Sequence, residues 1–272
     1  MRAVLTGGTH GIGQATAHRL CPLVDILLLH GLEPQADVEG LLQELRRRNP
    51  GTEVVYIAAD YGRLHEVGAL LAAVRERVGG LELLINNAGR PGPARRELSA
   101  DGHELTFQTN YLAPVALTSG LLSTLEQADR ARVINVASAT HYSARLSLDD
   151  LELEHGYSSV SAYAHSKLAL VTYTCWLSRQ LDAGVEAVSL HPGVISTGLL
   201  HAMFGAGGES VERGARNILR AAQRAPGVNG LYIDEESPAR PNPDALEIAN
   251  QERLVEATAR ALSAAGLPAP RR

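Results

Sequence analysis

Short runs of apolar residues alternate along the chain with segments of helical spacing. The apolar runs have the length of strands that are buried on both faces of a parallel sheet. In the helical segments the apolar residues recur on one face, as Leu41, Leu42 and Leu45 do. The predicted strands are 2–6, 24–30, 53–58, 81–86, 132–137, 185–191 and 230–233. The predicted helices are 11–20, 37–48, 64–78, 101–126, 161–182, 210–223 and 243–264.

This alternation of strands and helices indicates βαβ units and a parallel sheet. We predict the α/β class, with a single Rossmann-type doubly wound sheet of about seven strands flanked by helices. No repeat, low-complexity block or linker divides residues 1–272, so one domain is expected. Two irregular stretches, near 141–160 and 198–210, are expected to be lids over a substrate. The alternative for the second stretch is a partner-binding or disordered loop.

Composition and charge exclude several classes of protein. The net charge is −5 and no basic cluster stands out, which argues against a nucleic-acid partner. No apolar segment approaches the roughly 20 residues that span a bilayer, so we expect no membrane anchor. Two cysteines, Cys21 and Cys175, give no disulfide framework and favour a cytoplasmic protein. The histidines are scattered without metal-ligand spacing, and the GxSxG motif of serine hydrolases is missing, so neither a metal site nor such a hydrolase is expected.

Lysine is almost absent from the chain. Of 25 lysine and arginine residues, only Lys167 is a lysine. Arginine carries a wide guanidinium that stays protonated, whereas lysine carries a compact ammonium on a flexible stem. A single count is compatible with chance, so the position of Lys167 has to decide. It lies four residues after Tyr163 in a predicted helix, which favours a functional role.

A glycine-rich turn joins the first predicted strand to the first predicted helix. Its sequence from Thr6 to Gly13 is TGGTHGIG. Glycines let a backbone approach a pyrophosphate, and the helix N-terminus offers free N–H groups and a positive dipole. The spacing is not GxGxxG, and a glycine cluster alone is compatible with a plain tight turn. The strand before it and the helix after it favour a dinucleotide site.

Tyr163 and Lys167 are about one helical turn apart in the predicted helix 161–182. Side chains at this spacing share a helix face and can point into one cleft. A free phenol has a pKa near 10, and a nearby ammonium lowers it towards the working range of an acid–base catalyst. The same spacing also occurs by chance in solvent-exposed pairs. The neighbouring motifs decide in favour of catalysis.

Together these motifs resemble the short-chain dehydrogenase/reductase family, whose cofactor turn has the TGxxxGxG spacing. Three further motifs follow in the family's order, each near the end of a predicted strand. They are Asp60, the sequence NNAG at 86–89, and the sequence HPG at 191–193 with Thr197 beyond it. The resemblance covers nearly the whole chain. It implies hydride transfer between a nicotinamide dinucleotide and a carbonyl or alcohol carbon.

The resemblance also implies roles for individual residues. Tyr163 would exchange the proton with the substrate oxygen, and Lys167 would bind the nicotinamide ribose and lower the tyrosine pKa. Ser138 would hydrogen-bond the reacting oxygen. Asn110 would hold a water that links Lys167 to solvent; the alternative is a helix cap or an exposed helix residue. The implied cofactor contacts are Gly7, Thr9, His10, Gly11, Ile12, Gly13, His30, Asp60, Tyr61, Asn87, Ala88, Gly89, Tyr163, Lys167, Pro192, Gly193, Val194 and Thr197.

The wide spacing between Ser138 and Tyr163 is similar to that of the branch containing retinol dehydrogenases and light-dependent protochlorophyllide reductases. The stretch 230–241 resembles that branch too. The branch handles varied lipophilic aldehydes, ketones and alcohols, so we expect a small apolar or aromatic substrate. Its walls are expected at 90–96, 141–147 and 198–208, with an apolar face formed by Leu199, Leu200, Met203 and Phe204.

The choice between NAD and NADP depends on the end of the second strand. Members of the family that prefer NAD carry an acid there, and members that prefer NADP carry an arginine nearby. This chain has His30-Gly31-Leu32 at that point and His10 in the glycine turn. With no acid to repel a phosphate and two histidines that could favour one, we expect NADP in preference to NAD. The alternative is that both histidines are ordinary loop residues.

We therefore expect an NAD(P)-dependent oxidoreductase, such as a ketoreductase, that acts on a small molecule. One alternative is a dinucleotide-binding protein that senses redox state or supports a partner without turnover. Another is a lyase or epimerase that uses the nicotinamide transiently. The complete set of catalytic residues argues against the first, and the lack of a C-terminal substrate domain against the second. The resemblance also implies a homodimer or homotetramer, because the family commonly pairs helices such as 101–126 and 161–182.

Overall fold

One β-sheet runs through the middle of the described part of the chain. The computed structural model describes residues 1–205 and 207–270, without the side chains of residues 202–204. In this part eight strands pair in the order β3-β2-β1-β4-β5-β6-β7-β8, and all are parallel except β8. The strands are β1 (Arg2–Leu5), β2 (Ile26–Gly31), β3 (Glu53–Ala58), β4 (Leu83–Asn86), β5 (Ala131–Val136), β6 (Val185–His191), β7 (Tyr232–Asp234) and β8 (Ser237–Ala239).

The strand order reverses next to β1. From β1 the chain winds outwards through β2 to β3, then returns to β4 and winds the other way through β5 to β7. This confirms the predicted α/β class and the doubly wound, mostly parallel sheet. In such sheets ligands bind at the carboxyl ends of the strands where the order reverses, which here is between β1 and β4.

Helices cover both faces of the sheet and bury one apolar cluster on each. Apolar residues of α1, α2 and α8 form one cluster with the sheet, and those of α3, α5, α6 and α10 form the other. The helices of the described part are α1 (Gly11–Leu20), α2 (Gln35–Arg48), α3 (Leu64–Arg77), α4 (Leu105–Phe107), α5 (Ala113–Glu126), α6 (Ser159–Leu177), α7 (Gly198–Phe204), α8 (Val211–Gln223), α9 (Pro243–Leu246) and α10 (Ile248–Ala264). No helix in residues 1–205 and 207–270 combines the length and apolar character needed to cross a membrane.

The predicted helix 101–126 begins later than expected. Gly102 has a left-handed backbone with φ of +86°, which breaks a helix there. The Glu104 carboxylate then accepts hydrogen bonds from the N–H groups of Thr106 and Phe107 and caps α4. A π-helical turn, Gln108–Leu112, leads from α4 into α5.

Other bounds differ for local reasons. The predicted helix 161–182 is α6, which starts behind a Ser158 cap and ends at Leu177. The predicted helix 243–264 is interrupted at Glu247, whose backbone is extended, so that α9 and α10 are separate. The sequence did not predict β8, because three residues that include Pro238 show no strand periodicity.

The C-terminal helix α10 lies across the helices of one face. Its Leu254 and Leu262 are fully buried in the same cluster as α3, α5 and α6. The hydroxyls of Tyr111 and Thr258 are 2.7 Å apart. On the inner side, α6 is buried along its length from Ala162 to Leu177. The outer side of α6 is therefore covered by the chain itself.

Candidate active site

Two adjoining cavities lie along the carboxyl ends of the parallel strands. The first has a volume of about 620 Å³ and the second about 420 Å³. They share the walls formed by Ile12, Asn87, Gly89, Thr197 and Leu199, so they make one continuous crevice. The first cavity lies where the strand order reverses, next to the glycine turn. Every cofactor contact that the sequence predicted lines this crevice.

The glycine turn is shaped to let a ligand reach backbone atoms. Gly7 has a φ of +62°, and a Cβ on this residue would lie 2.7 Å from the Cα of Ala88. A Cβ on Gly13 would lie 1.8 Å from the carbonyl oxygen of Gly7. No side chain caps the first turn of α1, so its N–H groups are free for an anionic ligand. This cradle fits a dinucleotide pyrophosphate.

The segment after β4 locks the glycine turn from the other side. The Thr6 hydroxyl accepts hydrogen bonds from the N–H groups of Asn87 and Ala88, both at 3.0 Å. The Asn87 amide donates to the carbonyls of Thr6 and Gly7, also at 3.0 Å. Deeper in the sheet, Asn86 donates to the Asn135 side chain at 2.8 Å. The NNAG residues thus hold β1, β4 and β5 together at the floor of the crevice.

His30 is a neutral structural residue and supplies no charge to a phosphate. Its Nε2 lies 3.0 Å from the Ala59 carbonyl, and its Nδ1 accepts from the Gly7 N–H at 3.3 Å. Burial lowers the pKa of His30 to about 4. The expectation that a charge on His30 would favour NADP is therefore wrong, although the ring does line the crevice. It stacks on Tyr61, with ring centroids 4.6 Å apart.

Glu33 lines the far end of the crevice, and the sequence reasoning missed it. One carboxylate oxygen accepts from the Thr9 hydroxyl at 2.8 Å, and the other lies 3.0 Å from Nδ1 of His10. A Cβ on Gly31 would lie 2.5 Å from Thr9 Cγ2 and 2.7 Å from the Tyr56 hydroxyl, so no arginine fits there. The signal was available, since Glu33 is the first acid after β2.

Asp60 and Tyr61 follow β3 and line the same cavity. One oxygen of the Asp60 carboxylate accepts from the Gly62 N–H at 2.8 Å, and the other lies 3.7 Å from the Arg63 guanidinium. The carboxylate is half-buried and keeps one edge towards the crevice, where it could accept a hydrogen bond from an amino group.

The second cavity brings together three of the four predicted catalytic residues. Ser138, Tyr163 and Lys167 all line it. Lys167 is only 3% exposed, and its Nζ donates to the Val136 carbonyl at 2.8 Å. The same Nζ lies 5.7 Å from the centre of the Tyr163 ring. The end of β5 therefore orients the ammonium towards the phenol and the crevice, as the helical spacing predicted.

Burial dominates the protonation of this pair. It raises the pKa of Tyr163 to about 12, and hydrogen bonding with Ser138 works against that rise. Burial also lowers the pKa of Lys167 to about 8. The expected lowering of the tyrosine pKa by the ammonium is not seen in this structure. Near neutral pH the phenol holds its proton and is suited to donate it.

Asn110 lines neither cavity but lies directly behind one of their walls. It is fully buried in the π-helical turn. Its Oδ1 accepts from the Arg90 N–H at 2.8 Å, and its Nδ2 donates to the Arg90 carbonyl and to the Ser166 hydroxyl, both at 3.0 Å. A Cβ on Gly89 would meet Asn110 and Lys167 alike at 3.3 Å. Asn110 thus fixes the backbone beside the ammonium.

The structure places only part of the expected substrate walls around the cavity. Of the predicted wall 90–96, Arg90 and Pro91 line the crevice. Of the predicted wall 198–208, Gly198, Leu199 and Leu200 of α7 line it. No residue of 141–160 lines either cavity; the wall there is formed by residues 138–140, which include Thr140, missed from the sequence. The remaining wall includes His191 and Ile195. The predicted contributions of the Met203 and Phe204 side chains lie outside the described residues.

Comparisons with known proteins identify the family of this chain. The family model for short chain dehydrogenase matches residues 1–205. Human polyprenol dehydrogenase is 35% identical over 209 residues, which are 74% of this chain and 63% of that protein. Human retinol dehydrogenase 13 is 30% identical over 98% of this chain and 85% of its own, which confirms the predicted branch. The NADPH-bound carbonyl reductase from chicken fatty liver matches with a TM-score of 0.67 and 25% identity, over 88% of this chain and 98% of its own. The chain therefore belongs to the short-chain dehydrogenase family of oxidoreductases.

Proposed function

We propose that the chain is an NAD(P)-dependent oxidoreductase that interconverts a carbonyl and an alcohol on an apolar substrate. One observation carries the proposal: Ser138, Tyr163 and Lys167 share one cavity, and this cavity is continuous with the glycine-lined crevice. A dinucleotide in the crevice would have its reactive end next to the phenol. A protein that only senses a dinucleotide has no need of this buried phenol and ammonium.

The protein's part in the reaction is to hold the substrate oxygen and move one proton. A nicotinamide bound in the crevice would give or take the hydride. In reduction the Tyr163 hydroxyl donates its proton to the carbonyl oxygen, and in oxidation the phenolate takes it back. The Ser138 hydroxyl hydrogen-bonds the same oxygen and stabilises the charge that develops on it. Lys167, held by the Val136 carbonyl, presents a donor to the ribose and a positive charge to the phenol.

The cofactor is NADP or NAD, and two features act in opposite directions. The NADPH-bound chicken carbonyl reductase supports NADP, the cofactor that the sequence favours. The Glu33 carboxylate at the far end of the crevice opposes a 2′-phosphate, and the His10 ring, whose Nδ1 lies 3.0 Å from that carboxylate, is the nearest basic side chain in the glycine turn. We propose that Glu33 and His10 together set the preference of the enzyme for NADP or NAD.

The substrate is proposed to be a lipophilic alcohol or the corresponding carbonyl compound. The cavity beside Ser138 is lined largely by apolar side chains, among them Val194, Ile195 and Leu200. Val194 is 53% exposed, which gives the cavity an apolar rim. The names of the relatives, polyprenol dehydrogenase and retinol dehydrogenase 13, support this class.

A spectrophotometric screen tests the proposal. Aliphatic and aromatic ketones and aldehydes, and isoprenoid aldehydes, are offered with NADPH and with NADH, and oxidation of the nicotinamide is followed. Tyr163→Phe is expected to lower kcat by roughly 10²- to 10⁴-fold, because the proton donor is lost. Tyr173→Phe is the matched control, since Tyr173 lies in the same helix but packs in the core. Turnover that persists in Tyr163→Phe would remove the proposed proton donor.

A further inference from the structure

The turn after Ser138 makes contacts with a distant part of the chain. Ser138 caps the 3₁₀ turn Ala139–Ser143, and its hydroxyl accepts from the Thr140 N–H at 3.3 Å. His141 in this turn is fully buried, although it lines neither cavity. Its side chain therefore does not face the crevice.

The His141 ring links Ser138 to Asn242. Its Nδ1 is 2.7 Å from the Ser138 carbonyl oxygen, and its Nε2 is 3.3 Å from the backbone nitrogen of Asn242. A carbonyl only accepts and a backbone N–H only donates, so the proton lies on Nδ1 and Nε2 is the acceptor. Burial lowers the pKa of His141, which keeps the ring in this neutral form.

Asn242 holds the same turn through its side chain. It is 6% exposed, and its Nδ2 lies 2.9 Å from the carbonyl oxygen of His141, 3.3 Å from that of Tyr142 and 2.9 Å from that of Ala144. Its Oδ1 accepts from the Asp244 N–H at 2.9 Å and so caps α9. One buried side chain therefore ties the end of β5 to the C-terminal part of the fold.

A second bond strengthens this attachment. The Asp244 carboxylate accepts from the Leu146 N–H at 3.0 Å. Residues 141–146 are thus fastened to 242–244 at several points. Tyr163 lies in α6, which is buried along Ala162–Leu177 and also accepts a hydrogen bond from the Ser147 N–H at His165, at 3.2 Å. Both ends of this attachment lie outside the two cavities.

We propose that Asn242 is a positioning residue, which fixes the Ser138 hydroxyl relative to Tyr163 through the turn 139–144. This inference rests on the proposed function, in which Ser138 hydrogen-bonds the reacting oxygen. We expect release of the turn to move Ser138 more than Tyr163, because α6 is buried along Ala162–Leu177. A misplacement of about 1 Å in a reacting group costs up to roughly 100-fold in rate. The C-terminal segment, beyond the matched residues 1–205, would therefore support the site from outside the cavities.

The test is Asn242→Ser. A serine hydroxyl preserves the cap of α9, so the variant is expected to fold, but it does not reach the three carbonyls. We expect kcat to fall at least tenfold while KM for the dinucleotide stays unchanged, because the crevice around the glycine turn is untouched. Hydrogen bonding with Ser138 lowers the tyrosine pKa, so the pH profile of alcohol oxidation, which needs the phenolate, is expected to move to higher pH.

Asn229→Ser is the matched control. Asn229 donates to the Ser178 carbonyl at 2.7 Å and accepts from the Ala187 N–H at 3.0 Å, away from the carboxyl ends of the strands. We expect this variant to lose thermal stability without a change in kcat or in the pH profile. A purely structural role of Asn242 would give the same result for Asn242→Ser, and that outcome overturns the inference.

Hydrogen exchange separates the two proposals. The amides of residues 139–146 are expected to exchange faster in Asn242→Ser than in the wild type, whether or not a substrate has been found. If the wild-type protein turns over no carbonyl or alcohol, the proposed function is contradicted. Faster exchange in Asn242→Ser would then show that Asn242 holds the turn, without a role in catalysis. Unchanged exchange in Asn242→Ser overturns the positioning role even if the wild type is active.

Discussion

Glu33 places a carboxylate at the end of the crevice where we propose that the cofactor ribose binds. Its carboxylate is held at the far end by Thr9 and His10, and Gly31 leaves no room for an arginine that would compensate it. We therefore expect the choice between NAD and NADP to depend on the Glu33 carboxylate and the His10 imidazole, each of which can be replaced by a single substitution.

We expect Glu33→Gln to raise kcat/KM for NADPH relative to NADH by about tenfold, which corresponds to about 1.4 kcal/mol. The reason is that the amide keeps the size and an acceptor for Thr9 but removes the repulsion of the 2′-phosphate. Steady-state kinetics with both cofactors measure this ratio. Glu39→Gln is the control and should leave the ratio unchanged, because Glu39 lies in α2, contacts Arg46 at 3.6 Å and does not line the crevice. An unchanged ratio in Glu33→Gln would show that Glu33 does not face the ribose.

Single residues were predictable from sequence where local spacing carries their chemistry. Tyr163 and Lys167 are a helical turn apart, and the glycine turn is a continuous segment, so both were visible. The raised pKa of Tyr163 was not, because it comes from burial by residues distant in sequence. Asn242 was also missed, because it acts on a turn that lies about 100 positions earlier.

At the scale of elements, the turn between β1 and α1 accepts no side chain at Gly13. A Cβ there would lie 1.8 Å from the carbonyl oxygen of Gly7. This clash could be relieved only by moving the backbone of Gly7 away from that of Gly13, which would open the crevice. Gly40, in the middle of α2, has no atom within 4 Å of its ideal Cβ. Gly13 is therefore required by close packing of the turn, whereas Gly40 could be replaced by alanine without a steric clash.

We expect Gly13→Ala to abolish dinucleotide binding, measured by calorimetry, and to lower the melting temperature. Gly40→Ala is expected to raise the free energy of unfolding by about 0.5–1 kcal/mol and to leave binding unchanged, because alanine is the better helix former at an exposed position. Dinucleotide binding that survives in Gly13→Ala would mean that the ligand does not approach this turn.

The prediction of elements failed where a tertiary contact decides a boundary. The apolar pattern continued from 101 to 126, but Asp101 is used to accept from the Leu64 N–H and the Gln108 amide, and Gly102 breaks the helix. The stretch 141–160 is predicted to lie over the substrate, but His141 and Leu146 are hydrogen-bonded to Asn242 and Asp244 instead. Neither partner can be read from local periodicity.

At the scale of the whole molecule, α10 packs on α6, one of the two helices that the family resemblance assigned to subunit pairing. Leu254 and Leu262 are fully buried against the layer of α3, α5 and α6, and Thr258 bonds Tyr111 beneath it. A second copy could pair through α6 only if α10 moved away. The fold class could be predicted from the alternation of strands and helices. The position of α10 could not, because the amphipathic pattern of a C-terminal helix does not indicate which face of the sheet it packs on.

We therefore expect the protein to be a monomer in solution, and light scattering coupled to size-exclusion chromatography measures this. Thr258→Arg, which places a charge beneath α10, is expected to loosen the helix and promote association or aggregation. Arg260→Ala on the exposed side of the same helix is the control. A stable wild-type dimer would mean that pairing uses another surface.

The position of Lys167 has a practical consequence for chemical work on this protein. It is the single lysine of the sequence, and it lies almost wholly buried in the second cavity. A reagent that acylates amines can react with only one lysine side chain, apart from the Met1 amine, so the rate of modification at Lys167, followed by peptide mapping, reports whether that cavity is accessible. Ligands that fill the cavity should protect the amine, which gives an assay for finding them that needs no knowledge of the substrate.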